Sequence, residues 1–300
     1  MVRITSRDKV MFPGITKGEL IDYYESVADG MLEHLAGRPL TLERFPSGIG
    51  KRGFMQKNSP DYFPDFIERF SMDKKDGETL HPVIDSADGL IYLANQNTIT
   101  FHAPVFSAAN PESPDRLIFD LDPSPGRTDT ARQAARTIKE FLDLLELPGF
   151  LMSTGSKGYH VVTPLDATDS WTALSETAQG IARLAVAHDP DALTLEFQKK
   201  NRGDRVFVDW LRNGFGATAV APWSVRPRPT APVAMPLDWD ELDSTEPDAW
   251  TIADAPDRVG GRPWAAYDES KANLGVAHPS VMKLLETAGL ELHSFDRFRS

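Results

Sequence analysis

Hydrophobic and polar positions follow two periods along this 300-residue chain, and the places where the period changes mark out its elements. From Ile15 to Gly37, Leu20, Tyr23, Tyr24, Val27, Met31, Leu32 and Leu35 recur at helical spacing. Thr16 with Glu19 three residues on is an N-cap pattern, and Gly37 closes the segment. The period then falls to two. "PLTLERF" reads as a strand, followed by a loop rich in glycine and lysine and by "GFMQKN". "GLIYLAN" and "TITFHAP" read as further short strands, the second with Thr98, Thr100 and His102 on one face and Ile99 and Phe101 on the other.

In "RLIFDLDPSPG", Leu117, Phe119 and Leu121 alternate with Ile118, Asp120 and Asp122, so two carboxylates share one face at a strand exit. That face either meets water or carries chemistry. The next helix presents Ala131, Ala134, Ala135, Ile138, Phe141, Leu142 and Leu145 as an apolar stripe suited to pack on the strand. "FLMSTGSKGYHVVTPL" reads as two strands around a tight turn, "WTALSETAQGIARLAVAH" as a helix, and "RVFVDWL" as a strand with Phe207 and Asp209 on one face. "PSVMKLLETAGL" predicts a final helix. The pattern predicts an α+β fold: two closely packed modules around mixed and antiparallel sheets, one domain over residues 1–300, with 243–300 as an extension wrapping the surface.

Composition narrows the chemistry. Without cysteine, disulfides, thiolate nucleophiles and cysteine-bound zinc are excluded, and a bound metal must take oxygen or imidazole ligands. No run is apolar enough to span a bilayer and the N-terminus has no signal core, which predicts a cytoplasmic protein without a membrane partner. The net charge of −12 argues against a globally basic surface. Its distribution is uneven, however: Lys199, Lys200, Arg202, Arg205, Arg212, Arg226 and Arg228 face only Asp204 and Asp209 between positions 197 and 228, whereas 238–257 holds eight acids and no base. The acidic run reads as a solvated face.

Asp120 and Asp122, with Asp209 ending a later strand, form a carboxylate set able to hold two divalent ions for phosphoryl transfer. Between them, in "STGSKGYH", glycines including Gly158 let backbone N–H groups approach an anion, Lys157 adds charge, and Ser156 and His160 add polar contacts. The turn lacks Walker A spacing and opens a strand rather than a helix. The remaining histidines show no pairing at zinc-ligand spacing, and the six tryptophans read as packing residues.

"FDLDP", "TGSKGYHV" and "VFVDW", set among "DKVMFP", "ITKGELIDYY", "RFPSGI", "FMQKN", "ITFHAP" and "APWSVRPRP", resemble the polymerase domain of bacterial ligase D, of the archaeo-eukaryotic primase superfamily. The resemblance runs from about Arg3 to at least Leu242. It implies a primase-polymerase architecture with an RRM-like catalytic sheet, and a template-dependent nucleotidyltransferase that uses Mn2+ or Mg2+ and NTP or dNTP substrates. Ribonucleotides would be favoured, at short gaps or breaks with a downstream 5′-phosphate. Asp120, Asp122 and Asp209 match the metal-binding carboxylates, and His102 a catalytic-site histidine. Thr154 (usually serine), Ser156, Lys157 and His160 match the triphosphate loop, with Arg226 on the phosphates. Lys9 and Lys17 match lysines on the 5′-phosphate, and Arg44 and Lys57 basic residues near DNA. At Phe54-Met55 the family commonly has two template-stacking aromatics; here only the first is aromatic. A ligase and end-binding proteins are implied partners of a monomeric, nucleoid-associated enzyme, and Met1 with the final helix favours a stand-alone protein.

Two other readings compete. "LIFDLDPS" also resembles the haloacid-dehalogenase strand, which implies a phosphohydrolase, with "DATD" the nearest later acid pair. A non-catalytic DNA-end-binding module would keep the basic contacts but leave three carboxylates repelling one another.

Overall fold

The protein is described by a computed structural model over residues 2–74, 77–261 and 263–293. Met1 lies outside the described residues. Val10–Phe12 (β1) and Ile15–Thr16 (β2) form a hairpin leading into Lys17–Ser26 (α1) and Ala28–Leu35 (α2). Thr16 caps α1 as its spacing predicts: its hydroxyl accepts from the Glu19 amide at 3.3 Å, and Glu19 accepts from the Thr16 amide at 2.7 Å. The single helix expected up to Gly37 is two, because Val27 (φ −104°, ψ 5°) leaves helical geometry between them.

Thr41–Arg44 (β3), Phe54–Gln56 (β4), Glu68–Lys74 (β5) and Gly77–Val83 (β6) follow, then Ala87–Asn95 (α3) and Thr98–Ala103 (β7). "GLIYLAN", expected as a strand, is the body of α3. Ser86 accepts from the Gly89 amide at 3.4 Å and starts the helix, which buries Leu90, Leu93 and Ala94. A short apolar run has no period of its own to distinguish the two conformations. The hairpin of β5 and β6 was not anticipated, since polar residues on both of its faces erase the alternation.

The second module runs through Arg116–Asp122 (β8), Thr128–Leu144 (α4), Phe150–Ser153 (β9), Tyr159–Pro164 (β10), Trp171–His188 (α5), Leu193–Thr194 (β11) and Val206–Asp209 (β12). Ala219–Val220 (β13), Met235–Leu237 (β14) and Leu274–Ala288 (α6) follow. A six-stranded sheet has the order β11-β12-β8-β10-β9-β14, antiparallel except for β11 with β12. A four-stranded antiparallel sheet has the order β13-β7-β3-β4. The fold is the expected mixed α+β arrangement. In β8, Leu117, Phe119 and Leu121 are fully buried against α4 and α5, which leaves Asp120 and Asp122 on the opposite face.

Residues 219–237 stitch the sheets together. β13 joins the four-stranded sheet, and the chain then returns so that β14 joins the six-stranded one. Between them, Thr100 donates to the Val225 carbonyl at 2.7 Å and Ser224 to the Phe101 carbonyl at 3.0 Å. The fully buried Tyr24 donates its hydroxyl to the Ile99 carbonyl and accepts from the Val225 amide at 3.1 Å.

Removing that hydroxyl strands a buried carbonyl and a buried amide, each costly without a partner. Tyr24→Phe is therefore expected to lower unfolding stability by about 1–3 kcal/mol, read from urea denaturation. An unchanged denaturation midpoint would show that the stitch is not held there.

Candidate active site

Strand register lines up the acidic residues. Asp120 in central β8 stands directly opposite His160 in β10 and Asp209 in β12, so the three share one row across the sheet, with Asp122 two positions along. His160 Nε2 lies 3.4 Å from Asp120 Oδ1. Immediately after β12 the chain turns into a short 3-10 segment, and Arg212 folds back over the row. Its Nε donates to Asp120 Oδ2 at 3.1 Å, and its Nη2 lies 3.1 Å from Asp209 Oδ2. Asn213, 1% exposed, fixes this return: its side chain donates to the Ile118 carbonyl at 2.7 Å and accepts from the Ile118 amide at 2.8 Å, extending the pairing of β8.

Crowding divides the protonation of the acids. Burial opposes charge on Asp120, but His160, Arg212 and Arg226 outweigh it and hold that carboxyl well below the ordinary range. Asp122 is pushed up by burial and by the charge of Asp120. Asp209 is raised to about 6, chiefly by burial, with Arg212 opposing and Asp120 adding to the shift.

The turn between β9 and β10 borders this row. The Thr154 amide and hydroxyl both donate to the Gly158 carbonyl at 3.0 Å. Gly155 has φ +63°, and a Cβ on Gly158 would lie 1.9 Å from the Leu121 carbonyl oxygen, so the turn sits against β8 only because that position has no side chain. Arg226 Nη1 donates to the Thr154 carbonyl at 3.2 Å, and Arg228 Nη2 to the Ser156 hydroxyl at 2.7 Å. Lys157 is exposed. The resulting cleft, about 150 Å³, is lined by His102, Asp120, Asp122, Thr154, Ser156 and Arg226 among others. It is smaller than sites that enclose a whole drug-sized ligand. A larger hollow of about 480 Å³ lies beside Trp171 and Phe215, lined by Glu176 and His293 among others, apart from the row of Asp120 and Asp209.

His102, reached from the other sheet, has a buried Nε2 without a hydrogen-bond partner; Glu43 Oε2 stands 4.0 Å away, beyond bonding reach. Burial lowers its pKa. Lys9 and Lys17 converge elsewhere. Lys17, 2% exposed, donates to the Thr5 carbonyl at 2.8 Å, while Lys9 donates to Asn97 Oδ1 at 2.9 Å and to the Pro46 carbonyl. Burial lowers both ammonium pKa values, that of Lys17 to about 8 with help from the charge of Lys9. Arg44 is largely buried, donating to the Gln96 carbonyl at 2.8 Å with its guanidinium 5.7 Å from the Phe54 ring centre. Phe54, Met55 and Lys57 are exposed. The structure thus gathers Asp120, Asp122, Thr154, Ser156, His160, His102 and Arg226 around one cleft, with Asp209 buried beside it under Arg212, and sets Lys9, Lys17, Arg44, Phe54 and Lys57 apart from it in the N-terminal module, Lys17 and Arg44 buried there and Phe54 and Lys57 exposed.

Sequence comparison places residues 16–264 within the model of the LigD primase-polymerase domain. This chain belongs to that family. It is 36% identical over 250 residues to the multifunctional non-homologous end joining protein LigD of Mycolicibacterium smegmatis, covering 82% of this chain and 33% of that protein. Against the bifunctional non-homologous end joining protein LigD of Bacillus subtilis it is 34% identical over 264 residues, 86% of this chain and 42% of the other. The chain therefore spans a third to two-fifths of the length of these relatives. The polymerase domain of Mycobacterium tuberculosis ligase D, solved in complex with DNA, superposes with a TM-score of 0.84 at 33% identity, covering 91% of this chain and 99% of that one.

LigD primase-polymerase domains are nucleotidyltransferases, so the chain belongs to a nucleotidyltransferase family and not to the haloacid-dehalogenase phosphohydrolases. The fold agrees: β8 is antiparallel to both neighbours, whereas doubly wound α/β sheets are built on parallel strands. Four residues were missed from the sequence: Arg212, Asn213, Arg228 and Arg202, whose guanidinium stacks 4.0 Å from the Phe207 ring centre with Nη1 4.0 Å from Asp122. The local excess of basic residues was the available signal; which of them turn inward depends on the fold.

Among the described residues, no three His, Asp or Glu side chains stand at metal-coordination geometry. The all-oxygen, crowded donor set nevertheless suits a hard cation. Arg212 supplies the neutralisation that a divalent ion would take over, with further ligands coming from water or phosphate.

Because Asp209 must shed its proton to serve such an ion, and its pKa is raised to about 6, protons compete more strongly below that pH. Mn2+ is expected to raise the melting temperature clearly at pH 7.5 and far less at pH 5. Equal rises at both values would place the ion away from Asp209.

Proposed function

We propose that this enzyme extends a primer on a template at short gaps or broken ends in bacterial DNA, by two-metal phosphoryl transfer and with a preference for ribonucleotides. The observation that carries the reading is the row of Asp120, Asp209 and His160 beside the glycine-containing turn that Arg226 and Arg228 contact. When bound, Mn2+ or Mg2+ would be held by Asp120, Asp122 and Asp209, and would supply charge neutralisation for the attacking and leaving oxygens. The backbone of the Thr154–Gly158 turn, with Ser156, Lys157, His160, Arg226 and Arg228, would bind and orient the triphosphate. A cytoplasmic, nucleoid-associated place follows from that substrate.

His102 is the stronger candidate for reading the 2′-hydroxyl. Thr154 spends its hydroxyl inside the turn, whereas His102 Nε2 makes no hydrogen bond and has only Glu43 near it, at 4.0 Å. A buried polar atom built to meet a hydroxyl penalises the sugar that lacks one. Residues 1–300 are read as one catalytic domain. Packing of α6 on α5 supports this: a Cβ on Gly180 would lie 2.3 Å from Val281 Cγ1, so the extension is fitted closely to the body. A ligase and end-binding proteins are the expected partners of a monomeric enzyme.

Primer extension on a gapped duplex tests the chemistry. Alanine at Asp120, Asp122 or Asp209 is expected to reduce extension to background while DNA binding persists, and the wild type to insert ribonucleotides with the higher kcat/KM. Extension by an Asp120→Ala, Asp122→Ala double variant would contradict the assignment, and equal efficiency with both sugars would contradict the preference.

The lysine pair tests the gap. A terminal phosphate offers two nearby ammonium groups more charge than a hydroxyl end, and salt weakens that attraction. Wild-type enzyme should therefore prefer 5′-phosphorylated gaps. The preference should fade at high salt, and also as pH rises through about 8, where free Lys17 loses its proton. Lys9→Ala, Lys17→Ala should treat both ends alike yet still extend an open primer-template. A phosphate preference undiminished in that variant would place the anion elsewhere.

A further inference from the structure

Aromatic side chains lie exposed on the flank of the N-terminal sheet, next to Phe54. Tyr62 is 62% exposed and Phe66 48%, both on the segment between β4 and β5. They rest on a fixed base. Tyr62 packs edge-on against buried Phe63 at 5.3 Å between ring centres, Phe63 against Tyr92 at 5.5 Å, and Phe66 against the same Tyr92 at 5.6 Å. The backbone beneath is tied by turn hydrogen bonds from Phe63 to Pro60 at 3.1 Å and from Ile67 to Pro64 at 2.9 Å, and Arg69 donates to the Phe63 carbonyl at 2.9 Å. Two large rings held in water on a rigid base are poised to bind, because little freedom remains to be lost.

Their position indicates the ligand. Arg44 lies between this shelf and Phe54: its Nη1 is 3.5 Å from the Tyr62 hydroxyl and its guanidinium stands by the Phe54 ring. Through Gln96, whose carbonyl accepts from Arg44, the same surface continues to Asn97 and the Lys9 ammonium. Asp61 and Asp65 are exposed beside the rings, which disfavours attraction of phosphates at this spot. Stacking on a base has no such requirement, since every base offers a π-face. Met55 cannot contribute here. Residues of a strand alternate, and its register partner is Glu43, whereas Phe54 pairs with Arg44 on the face that Tyr62 joins.

We infer that Tyr62 and Phe66 form a second stacking platform beside Phe54, taking unpaired template-strand bases. The inference rests on the polymerase reading for the identity of that strand, and its test needs no catalysis. Protein without nucleotide is titrated onto gapped DNA carrying 2-aminopurine in the unpaired template stretch, and onto a fully paired duplex. Wild type should change the probe's fluorescence. Tyr62→Ala, Phe66→Ala should lose that change and bind gapped DNA about fivefold more weakly or worse, the lower end of what one base-aromatic stack contributes. Its affinity for paired duplex should stay unchanged, and Tyr62→Phe should retain the signal because the ring remains. Undiminished binding of gapped DNA by the double variant, or an equal loss on paired duplex, overturns the platform. Failure of wild type to extend any primer would instead overturn the polymerase reading and leave the binding result standing.

Discussion

The acidic face of the larger sheet depends on one interaction, the Arg212 guanidinium held between Asp120 and Asp209. Strand register places these two carboxylates directly opposite each other with Asp122 two positions along, a concentration of like charge that burial makes unfavourable. Arg212 and His160 offset it from either side of Asp120. The raised pKa values of Asp122 and Asp209 show that the compensation is incomplete. The row therefore retains an affinity for further positive charge, which is the property a metal-dependent nucleotidyltransferase needs. Asn213 makes it possible: by pairing with the Ile118 backbone it turns the chain immediately after β12 and leaves Arg212 above the acids.

A second constraint joins chemistry to substrate. The strap from β13 to β14 belongs to both sheets, and it carries Arg226 to the phosphate turn while pairing Val220 with His102. The turn and His102 are thereby set relative to each other through one strap, by backbone pairing at His102 and by the Arg226 side chain at the turn. The N-terminal module holds a different surface, in which two lysines of lowered pKa, Arg44 and exposed aromatic rings lie on one run. An overall charge of −12 is compatible with such a surface, because local fields rather than the total charge act at short range.

Much of the architecture was legible in the sequence because the chemistry of individual residues determines it locally. Thr16 with Glu19 is a capping box wherever the chain places it, the stripe of α4 can bury only one side, and alternation in β8 commits both aspartates to one face. Gly158 and Gly155 announced a turn, and the turn is there. Local pattern failed where it is ambiguous or absent. "GLIYLAN" is too short and too uniformly apolar to show a period, and the β5–β6 hairpin has polar residues on both faces.

What only the tertiary structure decided is which distant residues meet. That Asp209 stands opposite Asp120, that Arg212 rather than Arg205 closes over them, and that Tyr62 reaches the same arginine as Phe54 all follow from strand register and from chain reversals between elements far apart in sequence. Residue types and spacings determine what each segment can do with its own neighbours. The balance of charge and the exposure of a ring depend on packing across segments, which is set by burial of the common core and has no local signature.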